Sequence, residues 1–336
     1  MEECRGTVCV TGGTGYVASW LIMRLLQHGY SVRATVRSHP GGNRDISYLT
    51  NLPKASEKLQ IIEANLNQPE SFNAAIEGCV SVFHLAHPMD MEGKESEEEV
   101  TRRALEGTLG ILRACLYSKT IKRVVYTSSA VTVLFNGRSD LSVADETTWS
   151  DLDVCRNCKI ANPSYLVSKT LVEKEALDFA EKNGLNLVSV VLPLVVGPFI
   201  CPNIPASVYM SLAILFGDKD QFKNISNLHM VHVDDVASAQ IFFLEKTNAK
   251  GRFICSSADI TSHEMLDFLS KRPEFQTSMP DDLKEIKVER RTGLSSMKLL
   301  NCGFEFKYSF DEMFDGAIQS CKEKDFLNMF ISPPTI

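Results

Sequence analysis

Residues 7–29 read TVCVTGGTGYVASWLIMRLLQHG, a β-branched apolar run that meets a cluster of glycines and continues at once into apolar residues at helical spacing, ending at Gly29. A strand, a glycine turn and a helix therefore open the chain. Within the turn, Gly12, Gly15 and the small Ala18 stand at GxxGxxA spacing. Side chains at the two glycines would hold the backbone away from a pyrophosphate, whose negative charge is drawn to the N-terminus of the following helix. A glycine turn can also be no more than a tight connection. Its weight as a dinucleotide cradle rests on the strand before it and the β/α alternation after it.

That alternation continues. Ser31–Val36 reads as a strand, Ser71–Ile76 as a helix, Val80–Leu85 as a strand and Glu97–Ser118 as a long amphipathic helix. Lys122–Thr127 is a further buried strand, Tyr165–Asn183 a helix closed by Gly184, and Leu187–Leu192 a strand stopped by Pro193. Right-handed crossovers between such strands build a parallel sheet with helices on both faces. The expected fold is α/β, a Rossmann-type doubly wound sheet with a smaller C-terminal substrate-binding region. After Pro193 the texture changes to PFICPNIPAS and a helical Val208–Phe216, while His229–Glu245 reads as a strand and helix returning to the core. The expected division is a dinucleotide-binding domain over 1–193 with a return segment 229–250, a substrate-binding region over 194–228 and 251–326, and a loose tail 327–336.

At 336 residues, 44% of them hydrophobic, the chain can fill one large domain or a large domain carrying a smaller one. A formal net charge of -7 offers no basic surface for nucleic acid. No stretch approaches the roughly 18 uninterrupted apolar residues of a membrane span. The chain enters its first strand too early to leave room for a secretory leader, so its ten cysteines are expected to stay reduced in the cytoplasm. Cys155 and Cys158 have CxxC spacing, but no second pair at zinc-site spacing accompanies them; they read as loop cysteines, and no metal site is expected.

Tyr165 and Lys169, in YLVSK, are one helical turn apart and share a face. A phenol with an ordinary pKa near 10 exchanges protons poorly at neutral pH, and a nearby ammonium is expected to lower that value. In a hydride transfer Tyr165 would protonate a carbonyl oxygen and Lys169 would hold the nicotinamide ribose. Ser129, ending KRVVYTSS, would hydrogen-bond the same oxygen. YxxxK alone occurs on many surface helices; the glycine turn and TSSA at the end of a middle strand are what make it a catalytic unit. Beyond the second strand, where an acidic residue selecting NAD would stand, the chain has Arg37. A guanidinium there suits the 2′-phosphate of NADP(H), and Arg44 supplies a second cation.

Taken in order, TGGTGYVAS, TVRS, ANLNQPESF, VFHLAHP, VVYTSSA, YLVSK, LPLVVGPF, MVHVDDVA and FKYSFDEMF resemble an extended short-chain dehydrogenase/reductase of the plant dihydroflavonol-reductase-like group over nearly the whole chain. FNG and FICPNIP are most similar to its vestitone-reductase branch, and ASWLIMRLL with KGRFICSS to its noscapine-synthase branch. The resemblance implies a catalytic triad of Ser129, Tyr165 and Lys169, the latter two also touching cofactor. It implies cofactor contacts at Gly12, Gly15, Tyr16, Val17 and Arg37, with Asn65 and Leu66 at the adenine, and Leu85, Ala86, Pro193 and Val196 as walls around the nicotinamide. Asn65 stands where the family usually has Asp and keeps a hydrogen-bonding side chain. On the substrate side it points to Tyr165, Leu194, Leu134 and His87. His87 replaces a residue that is commonly small, so its imidazole is expected to orient a substrate oxygen or to remain bonded within its loop. Leu134 takes the place of a polar residue that would face a hydroxylated ring, which argues for a less hydroxylated or O-methylated skeleton. The NWYCY signature of cinnamoyl-CoA reductases is absent, so a CoA thioester is not expected. His232, Asp234 and Asp235 read as a structural turn with Asp as the helix N-cap rather than a metal cluster.

The resulting expectation is an NADPH-dependent reductase of a ketone on an isoflavonoid, flavonoid or alkaloid skeleton, acting as a monomer or weak homodimer. The same residues would serve oxidation of a secondary alcohol or hemiacetal with NAD(P). A nucleotide-sugar epimerase or dehydratase, or a non-catalytic cofactor-binding protein, shares the fold; Arg37 and the intact triad argue against them.

Overall fold

A computed structural model describes residues 5–38, 45–88, 95–158, 162–213, 216, 218, 227–246, 248–272 and 292–326. Arg44 and the expected tail 327–336 lie outside the described residues. The strands are β1 (Thr7–Thr11), β2 (Ser31–Val36), β3 (Leu59–Glu63), β4 (Ser81–His84), β5 (Arg123–Ser129), β6 (Val143–Ala144), β7 (Leu187–Leu192), β8 (Leu194–Val196), β9 (Asn227–His232), β10 (Gly251–Ile254), β11 (Ala258–Thr261) and β12 (Gly293–Leu294).

Seven strands form one parallel sheet in the order β10-β7-β5-β4-β1-β2-β3. Alternate residues of each strand feed two cores, as the two-residue repeat requires. Val8 and Val10 join the helices Tyr16–Gln27 and Val233–Glu245 on one face, while Cys9 joins Glu97–Ser118 and Pro163–Lys182 on the other. With both faces covered, a central strand such as β7, LVSVVL, is buried at every position. The strand order reverses between β1 and β4, and in open α/β sheets the carboxyl ends of the strands at such a reversal are where ligands bind.

A second sheet, β11-β9-β8, and the helix Phe310–Glu323 enclose a separate core containing Phe199, Val208, Leu212, Met230, Met265 and Phe314. The short pair β12-β6 is hydrogen-bonded to neither, and its Ala144 and Leu294 pack against Val191 of β7 and Ile254 of β10. The expected domain division shifts here in two places. Gly251–Ile254, placed in the substrate region, is the edge strand of the main sheet, paired with β7; β9, placed in the returning core segment, pairs with β8 and β11. Both pairings join segments distant in sequence, which local patterning does not report.

Other elements also differ from the sequence reading. β3 was not anticipated, because LQIIE is only partly buried at the sheet edge. The expected helix Ser71–Ile76 is a tighter turn, Pro69–Phe72, running into Asn73–Ile76, with the proline at its first turn where its missing N–H costs nothing. The expected helix Val208–Phe216 is Ala206–Ser211.

Candidate active site

The glycine turn is shaped by its neighbours on both sides. Gly12 adopts φ 70°, a region that glycine enters without strain, and a Cβ there would stand 3.1 Å from Ala86 Cα. Its N–H donates to Thr35 Oγ1 at 3.2 Å, and the Gly13 N–H donates to the Thr35 carbonyl at 2.8 Å. Gly13, which the spacing argument passed over, is held by packing: a Cβ would meet Ala34 Cβ at 3.0 Å. Among the described residues a Cβ at Gly15 would meet only the Gly12 carbonyl, at 3.3 Å, so it would obstruct chiefly what approaches the helix. Gly15 caps Tyr16–Gln27 with no side-chain hydrogen bond, and no acidic residue stands in the first turn. The uncancelled amides and dipole of that end fit a pyrophosphate. The Tyr16 hydroxyl is spent elsewhere, donating to the Gly197 carbonyl at 3.1 Å and tying the main sheet to the smaller region, while half-buried Val17 packs against the core.

Opposite the turn, Thr11 Oγ1 accepts from the Leu85 N–H at 3.0 Å and the Ala86 N–H at 3.1 Å. A hydroxyl accepting twice has one proton to give, so it donates to His84 Nδ1 at 2.9 Å, and His84 Nε2–H then donates to Thr108 Oγ1 at 3.1 Å. Burial, with Lys169 adding to it, pushes His84 down to about 3, so this imidazole is neutral. Thr11, His84 and Thr108 thus fix the Leu85–Ala86 wall, and neither Thr11 nor His84 stood out in the sequence.

Arg37 is exposed just beyond β2, two residues after Thr35. Asn65 and Leu66 follow β3, in a turn where Asn65 Oδ1 accepts from Asn67 N–H at 3.1 Å. This loop lies on the glycines of Glu97–Ser118: a Cβ at Gly107 would meet Leu66 Cδ2 at 2.9 Å, and one at Gly110 would overlap Pro69 Cβ.

Ser129 is the last residue of β5, which runs two residues further than the expected strand. Asn162 caps Pro163–Lys182, its Oδ1 accepting from Tyr165 N–H at 3.3 Å, and that helix presents Tyr165 and Lys169. Burial raises the Tyr165 phenol above its ordinary value, and hydrogen bonding with Ser129 acts in the opposite direction. This differs from the expectation that Lys169 lowers it: removal from water disfavours phenolate by more than the hydrogen bond with Ser129 favours it. Lys169 is itself 6% exposed, donates to the Thr127 carbonyl at 3.1 Å, and is pushed down to about 8 by burial, with Glu173 opposing.

His87 meets the Tyr165 ring edge-on, centroids 5.7 Å apart. Burial, then Lys169, His84 and Arg103, hold it neutral, and its buried Nε2 has no hydrogen-bond partner among the described residues. Leu134, ending the short helix after β5, Pro193, between β7 and β8, and Leu194, the first residue of β8, are half-buried. Val196 is fully buried in the second core, and its side chain belongs to that packing rather than to a free wall.

The family model described as NAD dependent epimerase/dehydratase family matches residues 8–255. The chain belongs to this family, in its dihydroflavonol-reductase-like group. Vestitone reductase of Medicago sativa is 51% identical over 328 residues, covering 97% of this chain and 100% of that protein. Its crystal structure superposes with a TM-score of 0.86 at 50% identity, covering 96% of this chain and 100% of that one. Protein BRI1-5 ENHANCED 1 of Arabidopsis thaliana is 57% identical over 329 residues, 96% of this chain and 90% of that protein. Noscapine synthase SDR1 of Papaver somniferum is 49% identical over 336 residues, 97% and 96%. With vestitone reductase and dihydroflavonol 4-reductases among its relatives, the chain is an oxidoreductase. The Asp pair of HVDDVA is structural, with one revision: the N-cap is His232, whose Nδ1 accepts from Asp234 N–H at 3.0 Å. Asp234 instead binds Trp20, Arg24 and Tyr308, and Asp235 accepts from the backbone of Lys307 and Tyr308.

Proposed function

We propose that the chain is an NADP(H)-dependent reductase of a ketone on a plant specialised metabolite of isoflavonoid, flavonoid or alkaloid skeleton. The observation that carries this reading is the meeting of Ser129 with Tyr165 and Lys169 from two separate elements, on the strand-end side where the sheet order reverses. Similarity to vestitone reductase and noscapine synthase supports the substrate class.

The nicotinamide supplies the hydride when bound. The helix N-terminus at Gly15 receives the pyrophosphate, Arg37 the 2′-phosphate, and Asn65 and Leu66 the adenine, while Leu85 and Ala86 form one wall at the nicotinamide. Tyr165, kept protonated by burial, gives its proton to the substrate oxygen as negative charge grows there, and Ser129 hydrogen-bonds the same oxygen. Lys169 holds the nicotinamide ribose and stands ready to return a proton toward Tyr165. His87 and Leu134 face the substrate, the second offering an unhydroxylated ring an apolar contact. All three catalytic side chains come from one chain, so a monomer suffices. Nine described cysteines are free, which supports a reducing, cytoplasmic setting; among the described residues no helix is long and apolar enough to cross a membrane.

The test is nicotinamide absorbance with purified protein, NADPH against NADH, over isoflavanone, dihydroflavonol and alkaloid ketones. Tyr165→Phe should lower kcat by about 10²–10⁴-fold, the usual worth of a positioned proton donor, while NADPH affinity holds. Full turnover in that variant overturns the assigned proton donor.

A further inference from the structure

Arg252 lies on β10, far in sequence from the triad, and is 5% exposed. All five of its guanidinium N–H donors are used. Nε donates to Glu173 Oε1 at 3.0 Å, and Nη2 to Glu173 Oε2 at 3.3 Å and Thr132 Oγ1 at 2.8 Å. Nη1 donates to the carbonyls of Glu146 at 3.1 Å and Thr148 at 2.9 Å, and the plane lies over the Trp149 ring, 3.6 Å from its centroid. Glu173, 0% exposed, also accepts from Ser128 Oγ at 2.7 Å and from the Ser189 hydroxyl on β7.

These contacts bracket the active site. On one side of Ser129, its chain neighbour Ser128 is tied to Glu173. On the other, Thr132 accepts from Arg252 and donates to the Ser129 carbonyl at 2.9 Å. Glu173 itself is one turn beyond Lys169 and two beyond Tyr165 on the same helix face. We propose that the Arg252–Glu173 pair is the positioning element of this active site, setting the strand that carries Ser129 against the helix that carries Tyr165 and Lys169. A buried ion pair is a weak source of stability, since apolar residues of similar volume often serve as well; in some proteins buried charges fix a geometry instead, and that is the role assigned to this pair. Every hydrogen bond given for the two side chains is to another protein group, so the pair is assigned a role through the residues it holds.

The proposal rests on the reductase reading for its activity arm only. Glu173→Leu combined with Arg252→Met removes both charges together and leaves none uncompensated. Folding is read by thermal unfolding, NADPH affinity by titration, kcat with a ketone substrate, and the geometry at the phenol by NMR of Cζ-labelled tyrosine, with the Tyr165 signal identified through Tyr165→Phe. The expected result is a folded protein with NADPH affinity retained, a displaced Tyr165 resonance and kcat lowered by about 10²-fold, the effect of a displacement near 1 Å. A folded double variant with unchanged kcat and unchanged Tyr165 resonance overturns the proposal. Where that variant does not fold, Ser128→Ala with Thr132→Val decides on the same two readouts, because it cuts both ties to Ser129 and leaves the ion pair whole. If the unsubstituted protein turns over no ketone, the reductase reading fails, and the Tyr165 resonance alone decides the positioning.

Discussion

Replacing Lys169 by Met changes how stability depends on pH, with a sign and size that follow from burial. The ammonium, ordinarily near 10.5, is held at about 8 because its surroundings exclude water. A difference of about 2.5 at 1.36 kcal/mol for each pKa unit means that folding the charged form costs about 3 kcal/mol at neutral pH. Between about pH 8 and 10.5 the unfolded chain keeps a proton on this residue that the folded chain has released, so this residue makes stability rise with pH across that window. Methionine has no proton to lose. The stability of the Met variant minus that of the parent should therefore be most favourable to Met below pH 8 and fall by about 3 kcal/mol on reaching pH 10.5. The assay is reversible urea unfolding of both proteins under reductant at intervals of pH across that range. Taking the difference cancels the buried cysteines and tyrosines, such as Cys115 and Tyr126, whose own raised values titrate at alkaline pH in both proteins. A difference that stays flat, or grows with pH, refutes the argument, because it means that Lys169 keeps its ordinary proton affinity in the fold.

Three further outcomes follow from the site. Gly12→Ala forces a side chain into a left-handed conformation costing about 1–2 kcal/mol and against Ala86, so unfolding temperature and NADPH affinity, followed by calorimetry, should both fall; no change in either contradicts the cradle. Arg37→Ser removes a charge-assisted contact worth about 1.5–3 kcal/mol, so NADPH should bind about 10- to 100-fold more weakly while NADH is little affected; equal loss for both cofactors contradicts a 2′-phosphate contact. Gly110→Ala drives a methyl into Pro69 and should cost about 1–3 kcal/mol in urea unfolding, and a neutral result would show that the Asn65–Pro69 loop does not rest on that helix.

The elements read most readily from sequence were those whose signals are local. Glu97–Ser118 carries its own apolar stripe, and β7 is an apolar run interrupted only by Ser189, between Asn186 and Pro193. Tyr165 and Lys169 share a face because of helical spacing alone. Glu173, Arg252, Thr11 and His84 have no such signal: as isolated polar residues they read like any solvated position. Arg252 meets its carboxylate across 79 residues, and Thr11 meets His84 across 73. β10 is four residues long, too short to announce that it closes the edge of the main sheet rather than beginning the substrate region.

By itself the sequence determined the alternating α/β order, the glycine turn ahead of a helix, and the residue types of the candidate triad, because each depends on neighbours within a turn or a strand of chain. Only the tertiary structure decided that the phenol of Tyr165 is raised rather than lowered, that His84 and His87 are neutral, and that Ser129 is held from both sides by a buried ion pair. Proton affinity and the alignment of side chains depend on how much water is excluded and which distant groups close around each atom, and those quantities exist only once the chain has folded.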